Sequence, residues 1–451
     1  AITQAKVNNE LVITQSGDDN TIGTTGRGVI QTGTASSDNS RANIATVVQN
    51  SNGNSIGELV QTTEGAHATT GNIATVTQDL HGLNTIVSLE QVQGANAGSN
   101  IATVTQTGTG NWLELLSQTA TLNEGNNTIR FEARGNYNGV RGNGQGSGPL
   151  GPLARASGAT SASLIQGRDF SGAAGNSIEV TLVGDYNQYG MTQYGSDNSV
   201  GVTISGLSNS FGSYQLGRHN QITIGGLAAD ANDVGIFQIG HANATSVVLN
   251  NDSSRNELAV GQSGDSNHVT LNLTGDDNLF GVGQLGWNHD ATITAIGDNN
   301  LVYAVQANTS ITANQGDVLT VSINGDDNSG LSGGRLQSFT GAALDFAALA
   351  PRLSSALLLS TDLFGVIGSR PLRLFPGALI QLGQANSIDI NVGTLVASNN
   401  NLFAVLQKGD RNSTSFIING NLNQAVALQV GDDNVAAAYI QGNSNLVAIS
   451  Q

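Results

Sequence analysis

The chain of 451 residues has no cysteine, one methionine, five prolines and only 4% aromatic residues. Without cysteine there is no disulfide, no thiolate metal site and no thiol nucleophile, which suits a secreted chain that must avoid cross-linking. A hydrophobic content of 38% with so few aromatics argues against a large three-dimensional core. A stacked repeat needs only a thin one, because each coil buries its inner face against its neighbours. Basic residues are scarce, 16 against 33 acidic, and the resulting charge of −17 argues against nucleic-acid or anionic-membrane binding through a basic surface. No run of about eighteen apolar residues occurs, so no membrane span is expected. No signal peptide is recognisable, and Ala1 in first place fits a mature terminus as well as any other chain boundary.

What the chain has is period. From Asn401 to Gln451, Gly409, Gly420, Gly431 and Gly442 fall at steps of eleven, as do Asn412, Asn423, Asn434 and Asn445. Gln407, Gln429 and Gln451 fall at steps of twenty-two. A fixed period marks a repeat architecture. After Asn176 the residues at every second place are Ile178, Val180 and Leu182; after Asn198 they are Val200, Val202 and Ile204; after Asn267 they are Val269, Leu271 and Leu273. Alternation at period two, closed by Gly-x-x-Asn, predicts half-buried strands joined by tight arcs. Glycine supplies the positive φ of such an arc, here at Gly195, Gly217, Gly240, Gly264, Gly286, Gly409 and Gly431, and asparagine tolerates the same region.

Every second strand carries glutamine six places after its asparagine. Asn187 leads to Gln193, Asn209 to Gln215, Asn278 to Gln284, Asn300 to Gln306, Asn401 to Gln407 and Asn423 to Gln429. By parity these amides point inward with Tyr189, Phe211, Phe280 and Phe403. A lone buried amide is costly, but amides stacked one coil apart can bond along the column. The expected ladder residues are Gln15, Gln193, Gln215, Gln238, Gln262, Gln284, Gln306, Gln407, Gln429 and Gln451. With them stand Asn187, Asn198, Asn209, Asn220, Asn267, Asn278, Asn412, Asn423, Asn434 and Asn445. The fold class expected is all-β: a two-sided β-solenoid of about 22-residue strand–arc–strand–arc coils in parallel register, with a short apolar insertion of helical composition.

The pattern Gln-x-Gly-x-x-Asn, followed six residues later by Gln, resembles the curlin repeat of curli fibre subunits. It stands at Gln193–Asn198, Gln215–Asn220, Gln262–Asn267 and Gln429–Asn434, and as Gln15–Asn20 near the start. The resemblance implies a bacterial functional amyloid of the biofilm matrix, exported through an outer-membrane channel, with a nucleating partner subunit and chaperones that hold the chain unfolded.

Five segments are expected. Residues 1–134 form irregular, longer coils, in which Asn43, Asn72 and Asn100 each open a strand of related sequence at spacings of 29 and 28. Residues 135–163 read as a Gly/Pro-rich loop or linker. Residues 164–329 form regular coils, 330–378 an apolar insertion rich in Ala and Leu that favours helix around Pro351, and 379–451 the last regular coils.

Acidic arcs are the most distinctive polar feature: Asp18/Asp19, Asp276/Asp277, Asp326/Asp327 and Asp432/Asp433, with Asp185, Asp298 and Asp410 in related turns. They read first as a solvated negative edge that limits lateral aggregation. Weak calcium binding, with Asp276, Asp277 and Asp298 as candidates, is the second reading; otherwise no metal and no cofactor are expected. His219, His241, His268 and His289 stand two, one, four and three residues past their arc glycines, so they form no matched ligand set. No catalytic constellation emerges, and an enzyme is not expected. The expected activity is head-to-tail self-assembly through the terminal strands, at Gln4 on one side and Leu446, Val447, Ile449 and Gln451 on the other. A monomeric, calcium-dependent solenoid adhesin is the alternative.

Overall fold

The computed structural model describes residues 2–5, 9–24, 27–33, 43–64, 71–95, 97–121, 125–139, 148–167, 175–225, 230–250, 253–308, 315–329 and 376–451. The apolar insertion expected over 330–378 therefore lies outside the described residues, apart from its last three. The chain divides into two units, Ala1–Ala228 and Ala229–Gln451. Each is a two-sided parallel β-solenoid, and among the described residues the only helix is one short turn.

In unit 1 the first sheet stacks, in spatial order, the strands Ile2–Ala5, Val29–Thr32, Ser55–Thr63, Thr85–Gln93, Trp112–Ala120, Ser163–Gly167, Gln188–Ser196 and Ser210–Arg218, all parallel. The opposite sheet runs from Glu10–Gln15 through Ile44–Gln49, Ile73–Gly82, Asn100–Thr109, Asn127–Ala133, Ser177–Glu179 and Ser199–Gly201 to Gln221–Gly225. Unit 2 repeats the plan. Its first sheet runs Asp233–His241, Glu257–Asp265, Leu279–Trp287, Leu301–Ala307, Ala378–Leu382, Leu402–Lys408, Gln424–Val430 and Leu446–Ser450. Its second runs Ala244–Leu249, His268–Thr274, Asp290–Ile296, Val318–Asn324, Ser387–Val392, Ser413–Asn419 and Val435–Gln441.

The thin core between the sheets is the alternation made visible. Ile178, Val180, Leu182, Val269, Leu271 and Leu273 are all buried, as are Tyr189, Phe211, Phe280 and Phe403. In unit 1 Tyr189 packs its ring 5.0 Å from Phe131 and donates its hydroxyl to the Trp112 carbonyl at 2.8 Å. A buried phenol thus keeps a partner, and burial raises its pKa well above the usual range.

Two features depart from simple alternation. The stretch read as a loop or linker contains the helix Pro152–Ala156, begun by proline at its first position, where no N–H is needed. Leu153 and Ala154 are buried, and Gly151 N–H donates to Ser210 Oγ at 2.7 Å. This turn lies on the outer face of the strand Ser210–Arg218, where a Cβ at Gly212 would overlap the Ala154 carbonyl oxygen. In unit 2 the strand Leu402–Lys408 is buried on both faces, Leu402, Ala404 and Leu406 outward as well as Phe403 and Val405 inward. That is why this strand reads as a continuous apolar run.

Candidate functional site

The residues repeated most faithfully are polar and buried, so the site is built from them. Each glutamine of the first sheet donates Nε2–H to Oε1 of the next coil's glutamine. In unit 1 the column runs Gln4, Gln31, Gln61, Gln91, Gln118, Gln166, Gln193, Gln215, with bonds of 2.7–3.0 Å. In unit 2 it runs Gln238, Gln262, Gln284, Gln306, Gln381, Gln407, Gln429, Gln451 at 2.7–3.1 Å. The second Nε2 hydrogen goes across the core to a backbone carbonyl, as from Gln193 to Ser177 at 3.0 Å and from Gln284 to His268 at 2.8 Å. That cross-core bond fixes which end of the amide is nitrogen, and so the direction of the column.

The asparagines form two columns in each unit, and they run the other way. Each gives its backbone N–H, its Nδ2–H or both to Oδ1 of the asparagine one coil earlier. Asn198 donates to Asn176 and Asn220 to Asn198; Asn209 donates to Asn187; Asn423 donates to Asn401 and Asn445 to Asn423; Asn434 donates to Asn412. Nδ2 also reaches the arc glycine carbonyl of the following coil, as from Asn198 to Gly217 at 3.0 Å, Asn267 to Gly286 at 2.9 Å and Asn412 to Gly431 at 2.8 Å. This second bond is the physical reason for the Gly-x-x-Asn spacing. The arc glycines Gly195, Gly217, Gly240, Gly264, Gly286, Gly409 and Gly431 all have φ between 111° and 128°.

The columns refine the sequence reading in two places, and Gln15 is a ladder residue of a column of its own. Gln15 does not belong to the main glutamine column. It bonds Gln49 at 2.7 Å, and Gln78 and Gln106 continue that line, giving unit 1 a second glutamine column on its opposite sheet. Several rungs of the main column were missed: Gln31, Gln61, Gln91, Gln118, Gln166 and Gln381. Gln61, Gln91 and Gln118 stand seven residues after an asparagine, not six. Their strands carry one extra residue at Gly57, Val87 and Glu114, between inward Ile56 and Leu59, Ile86 and Leu89, Leu113 and Leu116. Gln31, Gln166 and Gln381 have no asparagine six or seven residues before them, and only their position in the sheet reveals them.

The arc aspartates have a role that neither sequence reading assigned. The first carboxylate of each turn accepts a backbone N–H from the coil before. Ser254 donates to Asp276, Asp276 to Asp298, Asp298 to Asp326 and Asp410 to Asp432, at 2.7–2.9 Å. Asn399, Asn421 and Asn443 do the same work where the arc is uncharged. The next residue has positive φ, as at Asp277 and Asp433, and its carboxylate takes a forked pair of bonds from Arg255 or Arg411 at 2.7–2.8 Å. The hydrogen bond from Arg255 holds Asp277 below its usual range, and that from Arg411 holds Asp433 below it. The calcium candidates Asp276, Asp277 and Asp298 thus already spend oxygens on protein donors. Among the described residues, no three His, Asp or Glu side chains are grouped to hold a metal.

Arg411 lies on the surface, so Arg411→Ala is expected to move the unfolding midpoint very little while returning Asp433 to the ordinary carboxylate range, as read by an NMR pH titration.

Gln4 bonds Gln31, and the strand Leu446–Ser450 pairs Gln424–Val430 on one side. What the geometry of the described residues offers is buried columns of stacked, direction-fixed amides. The chain matches no protein-family model, and a search of the curated proteins gives no match either.

Proposed function

We propose that the chain is a structural subunit of a secreted, curli-like extracellular fibre that builds biofilm matrix and mediates adhesion. Its activity is self-assembly by adding coil to coil. The observation that supports this best is the translational sameness of the columns. Every glutamine rung donates toward the higher-numbered coil and every asparagine rung toward the lower one. The two faces of any coil are therefore complementary to each other, and a head-to-tail contact closes no ring.

A second copy laid on Val435–Gln441 and Leu446–Ser450 meets this pattern. Among the described residues each of these strands has one strand neighbour. In unit 2 Val435 is 65% exposed and Tyr439 61%, and in unit 1 Ile2 of the first strand is 61% exposed. Gln451 accepts from Gln429 and donates to the Val435 carbonyl, both at 2.9 Å. An amide nitrogen carries two hydrogens, and the second is the one every earlier rung gives to the next glutamine. Sheet edges of this kind template pairing with another chain. In this reading the polar and apolar columns run on through the junction, and export channel, nucleator and chaperones follow from the repeat's resemblance.

The test is electron microscopy and fibre diffraction of the purified chain after removal of denaturant at neutral pH. Unbranched filaments with a meridional spacing near ~4.7 Å are expected, and truncation before residue 435 is expected to slow their growth severely. Persistent single particles of one subunit, with or without calcium, would sink the fibre reading in favour of an adhesin.

A further inference from the structure

One asparagine column of unit 2 is interrupted between Asn267 and Asn386. The two missing rungs are His289 and Asp317, whose side chains are completely buried. His289 begins as an asparagine would, its backbone N–H donating to Asn267 Oδ1 at 3.1 Å. Its Nδ1 then replaces the acceptor oxygen and receives the Asp317 N–H at 3.1 Å. Its Nε2 is 3.0 Å from the Leu285 carbonyl, to which it donates. Only a neutral ring, with hydrogen on Nε2 and a bare Nδ1, satisfies both contacts. Asp317 offers Oδ1 to the N–H and Nδ2 of Asn386 at 2.9 and 3.0 Å. Its Oδ2 is buried, has no hydrogen-bond partner among the described residues, and lies 3.4 Å from His289 Nδ1.

These contacts set the number of protons. A carboxylate would turn a charged acceptor toward a bare ring nitrogen, a second acceptor. Asp410 adds like charge. An imidazolium would turn Nδ1–H against the Asp317 N–H. One hydrogen on Oδ2 takes the place of Nδ2–H in the other rungs, in a forked bond that shares the single Nδ1 lone pair with the Asp317 N–H. We propose that His289 and Asp317 form a one-proton joint in the column, the proton carried on Asp317 Oδ2 and directed at His289 Nδ1. Nearby, Asp290 and His268 face each other at 3.4 Å on the outer surface, half-exposed and outside the joint. The joint also makes these two rungs specific for each other in a column that otherwise accepts asparagine after asparagine, which pins the register of the coils.

Burial brings His289 down to about 4 and takes Asp317 up to about 7. Taken alone, Asp317 contributes stability that is complete below about pH 4 and is lost as pH rises through about 7. Taken alone, His289 contributes stability that is complete above about pH 6.5 and is lost as pH falls to about 4. In the intact pair the two trends cancel between about pH 4 and 6.5, because folding only moves one proton from histidine to aspartate.

The test compares urea unfolding of the full chain with that of Asp317→Asn, His289→Asn and the double variant from pH 4 to 8. Relative to the double variant, Asp317→Asn should lose up to about tenfold in folding constant per pH unit on acidification from 6.5 to 4. His289→Asn should lose up to about tenfold per unit on going from pH 4 up to 7, and the unmodified chain should show neither slope across pH 4–6.5. Single variants whose slopes share one sign overturn the joint. Should either fail to fold, histidine NMR of the unmodified chain decides. One of its six histidines should remain a neutral Nε2–H ring at pH 5, and six charged rings would overturn the proposal.

Discussion

Gln284→Leu is expected to destabilise unit 2 by roughly 2–6 kcal/mol, although leucine fills much the same volume and is more apolar. Three partners are left short. Gln262 Nε2 loses its acceptor at 2.8 Å, Gln306 Oε1 loses its donor at 2.9 Å, and the His268 carbonyl loses a donor at 2.8 Å. All lie in a dry core where water cannot replace them, so each costs about 1–3 kcal/mol, less what the leucine side chain returns. Gln284→Glu is the sharper variant. Its carboxylate would face the Gln306 oxygen and the His268 carbonyl without a hydrogen to give. Its folded-state pKa therefore lies above the ordinary value near ~4.3. Stability is then lost as pH rises through that raised value and regained on acidification. Urea unfolding followed by circular dichroism, at pH 4 and pH 7.5, separates the two variants. Loss of under ~0.5 kcal/mol for both would mean that the ladder is decorative.

Gly264→Ala is expected to be nearly as damaging, at roughly 2–6 kcal/mol, for one added methyl group. The residue has φ of 121°, which a side chain rarely adopts. A Cβ there would overlap the carbonyl oxygen of Gly286 on the next coil and stand 2.8 Å from its carbon. Neither neighbour is a flexible side-chain end, so relief requires the coils to separate. Separation would cost the bonds of Asn267 to the Gly286 carbonyl and to the His289 N–H, and the Gln262–Gln284 rung beside the arc. Hydrogen exchange is expected to show the loss first in the strands Glu257–Asp265 and Leu279–Trp287. By contrast, Gly201 meets nothing within 4 Å, and Gly201→Ala should leave unfolding almost unchanged.

Both predictions concern what lies between coils, and there sequence and structure part company. The alternation after Asn176, Asn198 and Asn267 settled which side chains face the core, because a strand's pleat is a local property of period two. The Gly-x-x-Asn markers settled where the chain turns, because positive φ is a local property too. The inward glutamines and the aromatic residues beside them followed from the same parity. Six described strands nevertheless carry ladder glutamines that the six-residue marker misses, three through one extra residue and three through lack of an asparagine.

What the sequence alone determined, then, is the coil: its length, its faces and its turns. The partner of each polar atom was decided only by tertiary structure. Asp276 accepts the N–H of Ser254 and looks, in sequence, like a solvated acid. Asp326 meets Asn399 across 73 residues. His289 looks like an arc histidine until the coil that begins 28 residues later brings Asp317 against it. Hydrogen bonds reach about 3 Å, while insertions of any length decide which coil comes next. Local patterning therefore could not name the pairs, and stacking did.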